Sequence, residues 1–205
     1  EYGKNQVLFN DLSLEIEQGE FVGLVGKSGA GKTTLLNIIG LITDISAGEI
    51  TIGGYKNLSM NNKNAMLLRR HTIGYLFQNY GLVEDENVLW NLKLALEYKK
   101  MNKSEKLRII NKYLKQFGLS GMLNKKIYQL SGGEQQRIAI IKLILQGSKI
   151  ILADEPTSGL DEDNEAIVMG LLKKLNEAGV TIIMVTHNMH LCDSFSRVIN
   201  VENYR

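Results

Sequence analysis

Short apolar runs and helical periodicities alternate along most of the 205 residues of this chain. Phe21-Val22-Gly23-Leu24-Val25, Ile73 to Phe77, Lys149 to Ala153 and Val180 to Thr186 have strand length and are largely apolar, which predicts strands buried on both faces. Apolar residues at helical spacing follow the first run over Thr33 to Ile39 and separate the last two from about Asp163 to Ala178. Strand, helix and strand in alternation predict an α/β fold around a parallel sheet. Further strands near Val7 to Phe9, Leu12 to Ile16 and Gly48 to Ile52, with Gly53-Gly54 as a turn, predict a small antiparallel flank. From Glu86 to Gln146 the pattern is helical throughout. Asn102 with Glu105, and Ser131 with Glu134, have capping-box spacing and mark two helix starts there.

Composition narrows the function classes. With 44% hydrophobic and 22% charged residues, the chain fits one globular unit, and no linker interrupts it. A net charge of +2 without a run of five basic residues argues against a nucleic-acid partner. The densest basic stretch, Lys99 to Lys115, is interleaved with Leu107, Ile110 and Leu114 and reads as the solvated face of a helix. No stretch reaches the ~18 apolar residues of a membrane span, so the chain itself is expected to be soluble. The opening residues show no signal-peptide pattern, although the chain starts at Glu1 without a methionine, as it would if a short N-terminal piece preceded it. The single cysteine, Cys192, excludes an internal disulfide and fits a reducing compartment.

The chemistry begins after the first strand. Gly26-Lys27-Ser28-Gly29-Ala30-Gly31-Lys32-Thr33, followed by Thr34, fits G-x-x-x-x-G-K-[ST] between a strand and a helix. Glycines let backbone N–H groups turn around a polyphosphate, and the helix adds the positive end of its dipole. Lys32 is placed for the β and γ phosphates of ATP, and Thr33 offers a hydroxyl to Mg²⁺. Ile150-Ile151-Leu152-Ala153 delivers Asp154 to the carboxyl end of a buried strand, where ligands of such sheets bind. Asp154 is the second candidate for Mg²⁺, and Glu155 for polarising an attacking water. His187, just past the Val180 to Thr186 run, has the same strand-end placement; His71 and His190 read as structural.

These residues, together with Leu130-Ser131-Gly132-Gly133-Glu134-Gln135-Gln136-Arg137, make the chain from Tyr2 to Val201 resemble the nucleotide-binding subunit of an ABC transporter. The octapeptide is similar to that family's signature sequence, Asp154-Glu155-Pro156-Thr157 to its Walker B extension and Ser158-Gly159-Leu160-Asp161 to its D-loop. The resemblance implies a P-loop NTPase with a RecA-like core, an antiparallel β flank and a helical subdomain inserted over about residues 82–145. It implies roles for Gln78 near Mg²⁺ as the Q-loop glutamine, for His187 at the γ-phosphate, and for Tyr2 as the aromatic stacked on adenine, with Phe9 as the other choice. Ser131, Gly132 and Gly133 are implied to serve the ATP of a second subunit in a head-to-tail homodimer closed by ATP. The partner so implied is a membrane permease, contacted near Leu82, Val83 and Leu89, at the cytoplasmic face of a bacterial plasma membrane.

Ile73 to Asn79 and Leu152 to Thr157 are most similar to the branch serving macrolide export, lipoprotein release and bacteriocin export. Ala139-Ile140-Ile141-Lys142-Leu143 departs from the small-Arg-small pattern usual there. Two other readings stand beside transport. One is a regulatory or mechanotransmitting ATPase; the other, a soluble ABC ATPase on DNA or ribosomes, lacks the expected coiled-coil insertion or second ATP module.

Overall fold

The computed structural model describes residues 9 and 12–204. The elements are β1 (Phe21–Val25), α1 (Lys32–Ile39), α2 (Lys63–His71), β2 (Ile73–Leu76), α3 (Val88–Ala95), α4 (Lys103–Gln116), α5 (Gly132–Gln146), β3 (Ile150–Asp154), α6 (Glu162–Glu177), β4 (Thr181–Val185) and β5 (Arg197–Asn200). The strands form one parallel sheet in the order β2-β3-β4-β1-β5. β1 lies inside it between β4 and β5, with all five residues buried. Because every pairing is parallel, the carboxyl ends of β1, β3 and β4 share one edge, and the loops that leave them share one surface.

Side chains alternate across each strand and feed two apolar layers. Val22, Leu24, Leu152, Ile183 and Val185 pack with Leu35 and Leu36 of α1 and with Leu68 of α2. Phe21, Ile151, Ile182 and Met184 point the other way, onto Ile140 and Leu143 of α5 and Val168 and Leu172 of α6. Each side chain so buried contributes about 1.5–3 kcal/mol.

A third cluster joins Val88 and Leu92 of α3, Ile110 and Leu114 of α4, and Ile138, Ile141 and Leu145 of α5. Helix α5 therefore faces the sheet on one side and a helical layer on the other. That double burial accounts for the run of bulky residues from Ile138 to Leu145, where a helix with one solvent face would alternate.

Core strands and helix starts match the sequence pattern to within a residue or two. Both capping boxes form, Ser131 and Glu134 at α5 and Asn102 and Glu105 at α4. The antiparallel flank does not form as expected: among the described residues it is a single bridge, Ile52 with Tyr55, closing the Gly53-Gly54 turn. Residues 12–17 carry no strand, and most of Val7 to Phe9 lies outside the described residues. Nor is the region from Glu86 to Gln146 helical throughout. It is cut at residues 96–102 and 117–131, where Gly118 and Gly121 take positive φ angles that no helix accommodates. α2 and β5 are elements the pattern did not announce, since α2 is dominated by polar residues and β5 is a short, mostly exposed edge strand.

Candidate nucleotide site

The loop after β1 folds around glycines at 26, 29 and 31, with φ of 147°, 75° and 88°, where a Cβ would be strained. It opens directly into α1, for which Gly31 is the N-cap. A helix leaves its first N–H groups without intrahelical partners, here at Lys32, Thr33 and Thr34, and this makes an anion site. Lys32 is buried, and its Nζ donates to the carbonyls of Gly26 at 2.6 Å and Lys27 at 3.0 Å, so the ammonium is held over the loop. Lys27, Ser28 and Gly29 form the exposed rim, and Ala30 is buried beneath. Phe9 packs on this loop: a Cβ at Gly31 would lie 2.9 Å from its ring. Tyr2 lies outside the described residues.

Asp154 ends β3, one strand away from the loop, and its Oδ1 accepts from Thr33 Oγ1 at 3.2 Å. Burial raises the Asp154 carboxyl above its ordinary range, with the neighbouring Glu155 adding to the rise, while the Thr33 hydroxyl and Lys32 pull it down. A carboxylate and a hydroxyl at one point are the hard oxygen donors that suit Mg²⁺. Two residues past β2, whose Leu76 pairs with Ala153, Gln78 sits exposed in a turn at the same edge.

Glu155 takes a left-handed backbone conformation, φ 48°, and its carboxylate Oε2 accepts from Nδ1 of His187. The two candidates for catalysis thus meet although 32 positions separate them. Asp154 is paired with Val185 across β3 and β4, so the residues that follow each strand are brought side by side. An open cleft of about 470 Å³ lies beside them, lined also by Ser158, Gly159, Asn188 and His190. His190, read from sequence as structural, is exposed on this cleft; His71 is exposed elsewhere, edge-on to Tyr98.

Ser131, Gly132 and Gly133 stand at the N-terminus of α5. Ser131 is the N-cap of α5, and its Oγ and backbone N–H are engaged by Glu134. The glycines are needed for close packing: a Cβ at Gly132 would lie 2.8 Å from the Tyr80 hydroxyl, and one at Gly133 2.2 Å from Asn164 Oδ1. Asn164 itself was missed in the sequence. Its side chain accepts from Arg137 at 3.0 Å, and its backbone N–H and then its Nδ2 donate to the carboxylate of Asp161, the N-cap of α6, and hold that carboxyl below its usual range. The Asp-x-x-Asn spacing was the available signal, since an N-cap carboxylate bonds the N–H three residues on.

Of the expected permease contacts, Leu82 and Leu89 are partly buried against the core, and Val83 is 44% exposed. A groove beside them runs between Ile42, Phe77, Tyr80 and Lys142, where Lys142 Nζ donates to the Gly81 carbonyl at 2.9 Å. No helix among the described residues is long and apolar enough to cross a membrane.

The ABC transporter family model matches residues 9–158. The chain is 40% identical over 202 residues to the macrolide export ATP-binding/permease protein MacB of Aggregatibacter actinomycetemcomitans, covering 98% of this chain and 31% of that protein. The chain therefore spans about a third of the length of such relatives. It is also 40% identical over 205 residues to an uncharacterized ABC transporter ATP-binding protein of Methanocaldococcus jannaschii, covering 98% of this chain and 92% of that one. Among solved structures, the dimeric post-hydrolysis state of the ATP-binding cassette MJ0796 bound to ADP and Pi superposes with a TM-score of 0.87 at 36% identity, covering 98% of this chain and 89% of that one.

Proposed function

The chain belongs to the ABC transporter family as an ATP-hydrolysing domain, and from that premise we propose that it powers a separate membrane permease exporting a peptide, lipid-linked or antimicrobial substrate. The observation that carries this reading is the gathering, at one sheet edge, of the phosphate loop, the Thr33–Asp154 pair and the Glu155–His187 pair. In it, Lys32 and the N–H groups from Gly26 to Thr34 hold the ATP phosphates. Thr33, Asp154 and Gln78 hold Mg²⁺, which when bound neutralises phosphate charge. Glu155 orients the attacking water and takes its proton, and His187, its Nδ1 engaged by Glu155, turns Nε2 toward the γ-phosphoryl group.

Ser131, Gly132 and Gly133 act in trans, on the nucleotide of a second copy arranged head to tail. What supports this is the exposed cap at Ser131 and the dimeric state of the MJ0796 cassette. The whole of residues 1–205 is read as one nucleotide-binding domain, with residues 82–145 as its helical subdomain, at the cytoplasmic face of the plasma membrane and without nucleic-acid contact. MacB is named an ATP-binding/permease protein and an exporter, and this supports the permease and the direction. The adenine is stacked by Tyr2 or by Phe9, whose ring already lies on the loop.

The test is phosphate release by the purified chain with Mg²⁺-ATP, alone and reconstituted with the permease encoded beside it. Turnover that rises with the permease supports the reading. A chain that turns over ATP but neither copurifies with that membrane protein nor responds to it overturns the permease assignment.

A further inference from the structure

Glu155 needs outside help to keep its backbone. At φ 48° a side-chain-bearing residue is strained, and such a conformation persists only where its surroundings hold it. Its N–H donates to the Val185 carbonyl of β4 at 3.0 Å, and its own carbonyl accepts from Ser158 N–H at 3.1 Å. The next residue is Pro156, with φ set by its ring, and the Pro156 carbonyl accepts from Gln136 Nε2 at 2.6 Å. The first two contacts belong to the sheet and to the turn itself. The third comes from α5.

Gln136 is 0% exposed, and its Oε1 has no hydrogen-bond partner among the described residues. Native proteins rarely leave a buried acceptor unpaired, and an unbranched apolar side chain would fill the same space without one. What the apolar side chain lacks is the donor to Pro156. Gln136 also stands on the helix that Ser131 caps, roughly one and a half turns further along. A second tie runs beside it, from Arg137 to Asn164, and Gly133 is packed so closely on Asn164 that the first turn of α5 cannot rotate without moving residues 156–164.

We propose that Gln136 is a positioning residue for Glu155, linking the Ser131 end of α5 to the backbone beside the catalytic carboxylate. Hydrolysis at a chain's own site then responds to what its α5 N-terminus holds for the partner. This rests on the ATPase reading above.

The test uses the full chain with Q136M, which keeps length but has no donor, and Q136E, which has one only when protonated. Exchanging one unpaired buried acceptor for another leaves the melting temperature of Q136M close to that of the parent. ATP affinity and KM stay unchanged, and kcat falls about ten- to a hundred-fold, the effect of a misplaced catalytic group. For Q136E, kcat relative to the parent rises as the pH is lowered over a range in which its melting temperature stays well above the assay temperature, so that the rise does not come from refolding. The inference is overturned if Q136M turns over within about two-fold of the parent while E155Q is inactive in the same assay. It is overturned equally if melting temperature and ATP affinity fall together with kcat, or if the Q136E ratio is flat with pH. An active E155Q removes the parent reading of Glu155 instead, and the inference with it.

Discussion

At the carboxyl edge of the sheet the candidate groups contact one another within the chain, whereas the N-terminus of α5 carries the groups proposed to act on a second copy. Lys32 and Thr33 of α1, Asp154 and Glu155 at the end of β3, and His187 after β4 are bonded to one another or to the loop's own carbonyls before any ligand arrives. Among the described residues the Ser131 side chain is bonded only within its capping box and the residue is exposed, while Gly132 and Gly133 behind it let Tyr80 and Asn164 pack against the helix start. Preorganisation of this kind suits groups that must meet developing charge in a fixed geometry. An exposed helix cap suits a ligand carried in by another molecule.

Loss of the carboxylate at Glu155 strikes the self-contained end hardest. E155Q keeps the shape, and phosphate release is expected to fall about 10²–10⁴-fold while ATP still binds and dimers accumulate. Turnover within a few-fold of the parent, measured by phosphate release, sinks the assignment. Next in size is K32A, which removes a charge-assisted contact worth about 1.5–3 kcal/mol. That predicts an ATP affinity roughly ten- to a hundred-fold weaker by calorimetry, with turnover lowered as well.

The outward-facing end breaks differently. S131R is expected to leave ATP binding to the isolated chain within a few-fold of the parent and to abolish ATP-dependent dimer cross-linking. Mixed dimers of K32A with S131R place both defects in one site and leave the other with two intact walls, so they should trap more ATP than either mutant homodimer. Equal trapping in all three counts against the head-to-tail arrangement. A smaller effect is expected from V83E, which alters an exposed side chain after Gln78: stimulation by the permease is lost and basal turnover stays within about two-fold.

The smallest effect concerns Lys142, whose ammonium is held below the usual lysine range by burial. The folded state then binds this proton less tightly than the unfolded one, so its contribution to stability rises with pH through the window just below the ordinary lysine value, about pH 10.4. K142M removes that slope. Melting temperatures of parent and variant across that window, differing by a constant, would show that Lys142 stays charged in the fold.

Elements whose cause is local were legible in the sequence. Gly31 at φ 88° and the run Phe21–Val25 place strand, loop and helix with no reference to the rest of the chain. Ser131 and Asn102 announce their helices because a cap is satisfied within a single turn. The antiparallel flank was expected from alternation over four or five residues, which states a preference for extended backbone without supplying a partner to pair with, and among the described residues only the Ile52–Tyr55 bridge forms there. α2 escaped for a related reason: only Ala65 and Leu68 of its nine residues are buried, too few to make a periodic stripe.

What the sequence determined by itself was therefore the identity of the candidate groups and the elements that carry them, since turn glycines, caps and apolar periods act over a few residues. Only the tertiary structure decided which groups meet. That β3 lies beside β4, and so Glu155 beside His187, follows from filling two apolar layers with Ile151, Leu152, Ile182 and Ile183. That Gln136 reaches Pro156 follows from α5 being packed between the sheet and the helical layer. Contacts across such separations are selected by the volume and shape of the whole core, which no short window of sequence contains.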